Sequence, residues 1–113
     1  MKSLRKTYKN LTDNNCPTAN TMAIIGGKWK VVLLLRLYSH DRHFNELQNL
    51  LGDITPHTLN KELRELMEDG LVVKEIISID PLKTSYKVTD KALELKESLL
   101  MIQEFGKRHS INQ

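Results

Sequence analysis

Asn60, Lys61 and Arg64 stand close together in a stretch that opens Thr55-Pro56-His57-Thr58. These side chains suit one chemistry well. An asparagine amide pairs bidentately with adenine in the major groove of DNA, and Arg or Lys pairs with guanine. His57 and Thr58 fall near the amino end of the same predicted helix, where unpaired backbone N–H groups also favour phosphate. Lys83, Thr84 and Ser85 lie together in a later turn, Lys87 follows, and Arg42 precedes the helical pair. Their positions suit contacts to phosphate or to the adjacent minor groove. Taken singly, each is equally well read as a solvated polar position. The set carries more weight than any member.

Cys16 offers a second chemistry. It directly precedes Pro17, which suits the first position of a helix. A thiol at a helix amino end meets partial positive charge, which favours thiolate. Lys28 and Lys30 would add to this if the fold brought them near. With one cysteine per chain, a stable oxidised product is an intersubunit or a mixed disulfide. The competing reading is a cysteine buried in packing.

Catalysis finds little support. The histidines are His40, His43, His57 and His109. His40-x-x-His43 has metal-ligand spacing but lacks further cysteine or carboxylate ligands to complete a site. Neither a glycine-rich phosphate loop nor a nucleophile elbow occurs. The expectation is a non-enzyme with no metal and no cofactor.

These residues need a scaffold, and the chain supplies one. Thr55 is a good N-cap and Pro56 a good first residue, so a helix is predicted over 55–69, with Leu59, Leu63, Leu66 and Met67 as its apolar stripe and Gly70 as its stop. Glu62, Glu65, Glu68 and Asp69 are expected to repel phosphate, which confines docking to the first two turns. Ahead of it, Phe44, Leu47 and Leu51 recur at helical steps and Gly52 ends the run. Leu71–Ile79 and Ser85–Thr89 read as a hairpin with an exposed tip and a wing over about 78–85. A short helix, a tight turn, a second helix and a hairpin together predict a winged helix-turn-helix.

The flanks complete it. Residues 1–15 read as a flexible or partly helical basic arm, with a short helix around Leu4–Leu11. Cys16-Pro17 opens a helix that Gly26-Gly27 stops. Lys28–Tyr38 reads as a helix apolar on every side. Asp90 begins a helix to about Gly106, with Ala92, Leu95, Leu99 and Ile102 on one face and Leu93, Leu100, Met101 and Phe105 widening it. That surplus suggests a second subunit; core packing within one chain is the alternative. The fold class is mostly α with a small β-hairpin (α+β). The organisation is an arm at 1–15, a domain at 16–106 and a tail at 107–113.

Length and charge agree. The chain has 113 residues, 17 basic and 14 acidic, for a net charge of +3. Residues 1–43 carry eight basic and two acidic side chains, against two and six in 44–70. A basic first third suits phosphate, or a solvated tail. One cysteine, no secretory pattern at MKSLRKTYKN and no long apolar run point to a reducing cytoplasm without membrane contact.

In order, CP at 16–17, GGKW at 26–29, FNEL at 44–47, LRELMEDGLV at 63–72 and YKVTDKALEL at 86–95 resemble the HxlR-type winged helix-turn-helix regulators of bacteria, relatives of the MarR group. The likeness runs from about Cys16 to Gly106. It implies a homodimeric transcription regulator, a repressor, that binds double-stranded DNA at an inverted repeat. It implies pairing through helices 17–25 and 90–106 and recognition through 55–69. Some members sense oxidants or electrophiles at a cysteine matching Cys16. A small-molecule effector stays open. Thr55-Pro56-His57 and the wing Asp80-Pro81-Leu82-Lys83-Thr84-Ser85-Tyr86 depart from the family's usual residues, so the operator is not readable. The rival function on the same fold is a module that binds protein instead of DNA.

Overall fold

The computed structural model describes residues 3–112. Helices α1 (Ser3–Asp13), α2 (Pro17–Ile25), α3 (Lys30–Ser39), α4 (Phe44–Leu51) and α5 (Pro56–Glu68) lead into strands β1 (Val72–Ile79) and β2 (Leu82–Val88), and α6 (Asp90–Leu93) and α7 (Lys96–Arg108) close the chain. The strands form a two-stranded antiparallel sheet, turning at a cis Asp80–Pro81 bond. The α+β expectation holds.

One apolar core joins these elements. Leu33, Leu34 and Leu37 of α3 meet Leu47, Ile54, Leu59, Leu63 and Leu66, with Leu71, Val72, Tyr86, Ala92 and Leu99 closing the other side. The helical spacing of Leu59, Leu63 and Leu66 puts one face of α5 inward and leaves the opposite face to solvent. Each buried leucine contributes about 1.5–3 kcal/mol relative to exposure.

The turn between α4 and α5 is short because its residues are held. Gly52 takes φ +61°, a conformation that L side chains rarely adopt. Ile54 is buried beneath it, and the Gln48 amide donates to the Ile54 carbonyl. The Thr55 hydroxyl then accepts from the Thr58 N–H at 3.1 Å, capping α5. At the far end Gly70, φ +76°, lets the Leu71 N–H return to the Leu66 carbonyl at 2.9 Å.

Several expectations need correcting. The helix expected over 28–38 begins at Lys30, and Trp29 caps it. It is not buried on every side, since Val32 and Arg36 face solvent. The arm is helical over Ser3–Asp13, beyond the short helix expected, and lies against α2. The long last helix is broken. The Ala92 carbonyl accepts both the Tyr38 hydroxyl at 2.5 Å and the Leu95 N–H at 3.0 Å, which tightens the chain into an i to i+3 turn between α6 and α7. The last helix, expected to end at about Gly106, runs on to Arg108. Ile102 is exposed instead of sharing the buried face of Ala92 and Leu99.

Candidate nucleic-acid interface

The outward arc of α5 is set by its inward one. With leucines at 59, 63 and 66 in the core, His57, Asn60, Lys61 and Arg64 recur at three- and four-residue steps on the opposite side, and all four are exposed. Thr55 is exposed at the cap and Thr58 half-buried beside it. Their hydroxyls lie 3.0 Å apart, so part of their bonding capacity holds the helix start.

The acidic side chains of α5 do not form the repelling outer surface that the sequence suggests. Glu62 and Glu65 turn toward α3. The Lys30 ammonium lies 2.7 Å from Glu62 Oε2 and 2.7 Å from Glu65 Oε1, with side-chain exposures of 4%, 13% and 11% for the three residues. The bond to Glu65 is well directed. The Glu62 oxygen completes the cluster as an ion pair at the same distance. Burial alone would push the Lys30 pKa down; pairing with the two carboxylates outweighs it and holds the ammonium above the ordinary lysine range. Asp69 pairs with Arg5 of α1, and Glu68 stands 3.7 Å from Arg64. The face left to a ligand is therefore less acidic than composition implies.

The carboxyl end of α5 is gripped from outside. Besides Arg5, the Lys91 ammonium donates to the Asp69 carbonyl at 2.7 Å and the Thr89 hydroxyl to the Gly70 carbonyl at 2.6 Å. Helices from both ends of the chain thus bear on one end of this helix.

The hairpin is anchored at its base. Arg42 and Tyr86 exchange backbone hydrogen bonds of 3.0 and 2.7 Å. The Arg42 guanidinium is engaged within the chain. It donates to the Arg36 carbonyl at 3.3 Å and to the Ser39 hydroxyl at 3.0 Å, clamping the end of α3 to the wing. His43, which the sequence suggested only as half of a metal pair, is the N-cap of α4. Its Nδ1 lies 2.7 Å from the Thr84 carbonyl, which ties the start of α4 to the wing. The His43 N–H donates to Glu46 at 3.0 Å and holds that carboxyl below its usual range. Lys83 is exposed and Thr84 half-buried. A groove of about 380 Å³ separates the start of α4 from the wing residues Leu82, Lys83 and Thr84.

Cys16 sits half-buried at the N-cap of α2, and its side chain makes no capping bond. Lys30 is bound by Glu62 and Glu65, and the Lys28 ammonium lies 4.7 Å over the Trp29 ring. On α7, Leu100, Met101, Ile102 and Phe105 are exposed together. Among the described residues no helix is long and apolar enough to cross a membrane.

Short helix, held turn, second helix with a free polar arc and an anchored hairpin define a winged helix-turn-helix regulator. Residues 24–113 match the HxlR-like helix-turn-helix family, and the chain belongs to that family. A relative in Halalkalibacterium halodurans, the HTH-type transcriptional regulator BH0655, is 37% identical over 114 residues, covering 99% of this chain and 98% of its own. The Bacillus subtilis regulator YdeP is 36% identical over 94 residues, covering 83% and 73%. Among solved structures, the redox regulator HypR in its oxidised form superposes with a TM-score of 0.80 at 34% identity, covering 83% of this chain and 97% of that one. A MarR-family regulator from Enterococcus faecalis V583 gives 0.74 at 29%, covering 83% and 86%. The chain is a transcriptional regulator of HxlR type and not an enzyme.

Proposed function

We propose that this regulator is a homodimer that binds an inverted repeat in double-stranded DNA and represses transcription. The observation that carries the reading is the exposed arc of His57, Asn60, Lys61 and Arg64 on α5, with Glu62 and Glu65 drawn away from it by Lys30. Asn60, Lys61 and Arg64 read base edges, while Thr55, His57 and Thr58 position the helix start against phosphate. Lys83 and Thr84 bring the wing to the flanking backbone. Arg42 holds the wing in place.

Two-fold pairing supplies the second reading head. The exposed apolar residues of α7 favour burial against a partner, and the resulting dimer sets two α5 helices about 34–36 Å apart, one DNA turn. Because α1 and α6 grip the end of α5 through Arg5, Lys91 and Thr89, a rotation at the paired helices moves α5 and changes that spacing. Cys16, at the junction of α1 and α2, is placed to start such a rotation. Two thiols from two chains form one disulfide, giving two electrons and two protons to an oxidant such as diamide. The likeness to a redox regulator, HypR, supports this reading.

The test is a gel-shift titration across salt, using duplexes recovered from random sequence by selection with the wild-type protein. Affinity should fall steeply between about 50 and about 200 mM salt as counterions are released. Absence of any bound duplex at low salt would refute the reading and favour a protein-binding module.

A further inference from the structure

The buried charge cluster between α3 and α5 is placed to do more than hold two helices together. Lys30 opens α3, and its side chain is 4% exposed. Leu33, Leu34 and Leu37 of the same helix are seated in the core, so the ammonium is presented from a fixed base. It lies 2.7 Å from Glu62 Oε2 and 2.7 Å from Glu65 Oε1. Those two carboxylates stand on successive turns of α5, so a single cation bridges them.

The side of α5 on which the bridge falls decides what it can do. Successive residues of an α-helix are set about 100° apart round its axis. Counted that way, Leu59, Leu63 and Leu66 centre on one direction, and Glu62 and Glu65 centre about 100° round from it. The arc of His57, Asn60, Lys61 and Arg64 centres about 120° further on in the same sense. The carboxylates therefore stand on the flank, between the core face and the outward face. A floor of leucines sets how deep α5 sits but resists rotation weakly, because apolar burial is non-directional. An ion pair on the flank acts along the direction of rotation. Side-chain ends lie roughly 5–6 Å from the axis, so a turn of about 10° carries them about 1 Å. The distances allowed to an N–H···O bond span only about 0.5 Å. The grips from Arg5, Lys91 and Thr89 act past the end of α5, on Asp69 and Gly70. Lys30 acts beside the turns that carry Asn60, Lys61 and Arg64.

We propose that Lys30 is a positioning residue for DNA recognition: through Glu62 and Glu65 it fixes the rotation of α5 about its axis, and so the angle at which Asn60, Lys61 and Arg64 meet the base edges. This rests on the DNA-binding reading above and adds what keeps that reading specific. It also accounts for the charge. An apolar trio of similar volume would be at least as stable, yet it would fill the space without fixing a direction. Rotation moves every reading side chain at once, so the cluster governs discrimination at all contacted positions together.

The experiment compares wild type with Lys30→Met/Glu62→Gln/Glu65→Gln, using competition between the selected duplex and a random-sequence duplex, with folding checked by circular dichroism. The variant loses one positive and two negative charges, so electrostatics alone would tighten its binding to every duplex. The proposal expects the opposite for the selected duplex. The ratio of selected to random affinity should fall at least about tenfold, with base preference flattened at every discriminated position. Arg64→Ala, by contrast, relaxes one position. A partly unfolded population lowers both affinities alike and leaves the ratio unchanged. Glu62→Gln keeps the Lys30–Glu65 bond and should give an intermediate ratio; it decides the matter alone if the triple variant does not fold. The proposal is overturned if the ratio stays within about twofold of wild type, or if preference relaxes at a single position only. A wild type that binds no duplex at all would show in the titration itself and would remove the DNA reading as well.

Discussion

Replacing Lys30 by methionine removes one cation and leaves two carboxylates facing each other in a nearly closed space. The side chains of Glu62 and Glu65 are 13% and 11% exposed, and the Lys30 ammonium lies 2.7 Å from an oxygen of each. Breaking a buried pair on one side costs about 3–5 kcal/mol. The residual solvent access of the two glutamates, and their freedom to take up a proton, put the expected cost near the lower end, about 3 kcal/mol. Domains of this size are stable by about 5–15 kcal/mol, so the loss is conspicuous. Urea unfolding at one fixed protein concentration measures it. The deficit should be full near neutral pH. It should shrink on acidification, because uptake of protons removes the stranded negative charge. In wild type the sign is opposite and the window alkaline. The folded-state pKa of Lys30 is raised, so its contribution is present below the ordinary lysine range and is lost as pH climbs through the raised value. Converting the whole cluster, Lys30→Met/Glu62→Gln/Glu65→Gln, should recover most of the stability, since no charge is then stranded. A Lys30→Met protein within about 1 kcal/mol of wild type, or one whose deficit grows on acidification, would refute the reasoning.

Arg64→Ala should weaken binding to the selected duplex by about 1–3 kcal/mol and relax the base preference at one position, whereas Lys83→Ala should weaken all sequences alike and reduce the salt slope by about one unit. Competition binding against base-substituted duplexes separates the two. Met101→Asp/Phe105→Asp on α7 should yield a folded monomer by sedimentation, with DNA affinity reduced at least about a hundredfold by loss of the second half-site. Cys16→Ser should bind DNA as wild type and lose its response to diamide; an unchanged diamide response would end the sensor proposal.

Local signals carried most of the fold. Thr55-Pro56 and Gly70 bracket α5 because capping and left-handed termination depend on the residues at the ends of a helix. The leucine spacing of α5 fixed its outward arc, so Asn60, Lys61 and Arg64 were legible as a set. What escaped depends on partners far along the chain. Glu62 and Glu65 read as an outer acidic run because their partner, Lys30, is more than thirty residues away. Its one trace was a lysine inside the apolar stretch from Trp29 to Leu35. Arg42 looked free because its acceptors on α3 are made by the turn itself. His43 gave no sign of bonding Thr84, forty-one residues on. The break before α7 comes from the Tyr38 hydroxyl on the Ala92 carbonyl, a contact that periodicity cannot encode. The apolar wing was visible as β-branched residues, but the bulge between Ile76 and Ser78 was not.

Hydroxyl-radical footprinting on the selected duplex tests the central proposal most directly. Two chains with their α5 helices in successive major grooves should protect two patches per strand, centred about 10–10.5 base pairs apart and related by two-fold symmetry. A single unsymmetrical patch, or uniform cleavage at a protein concentration well above saturation, would contradict it.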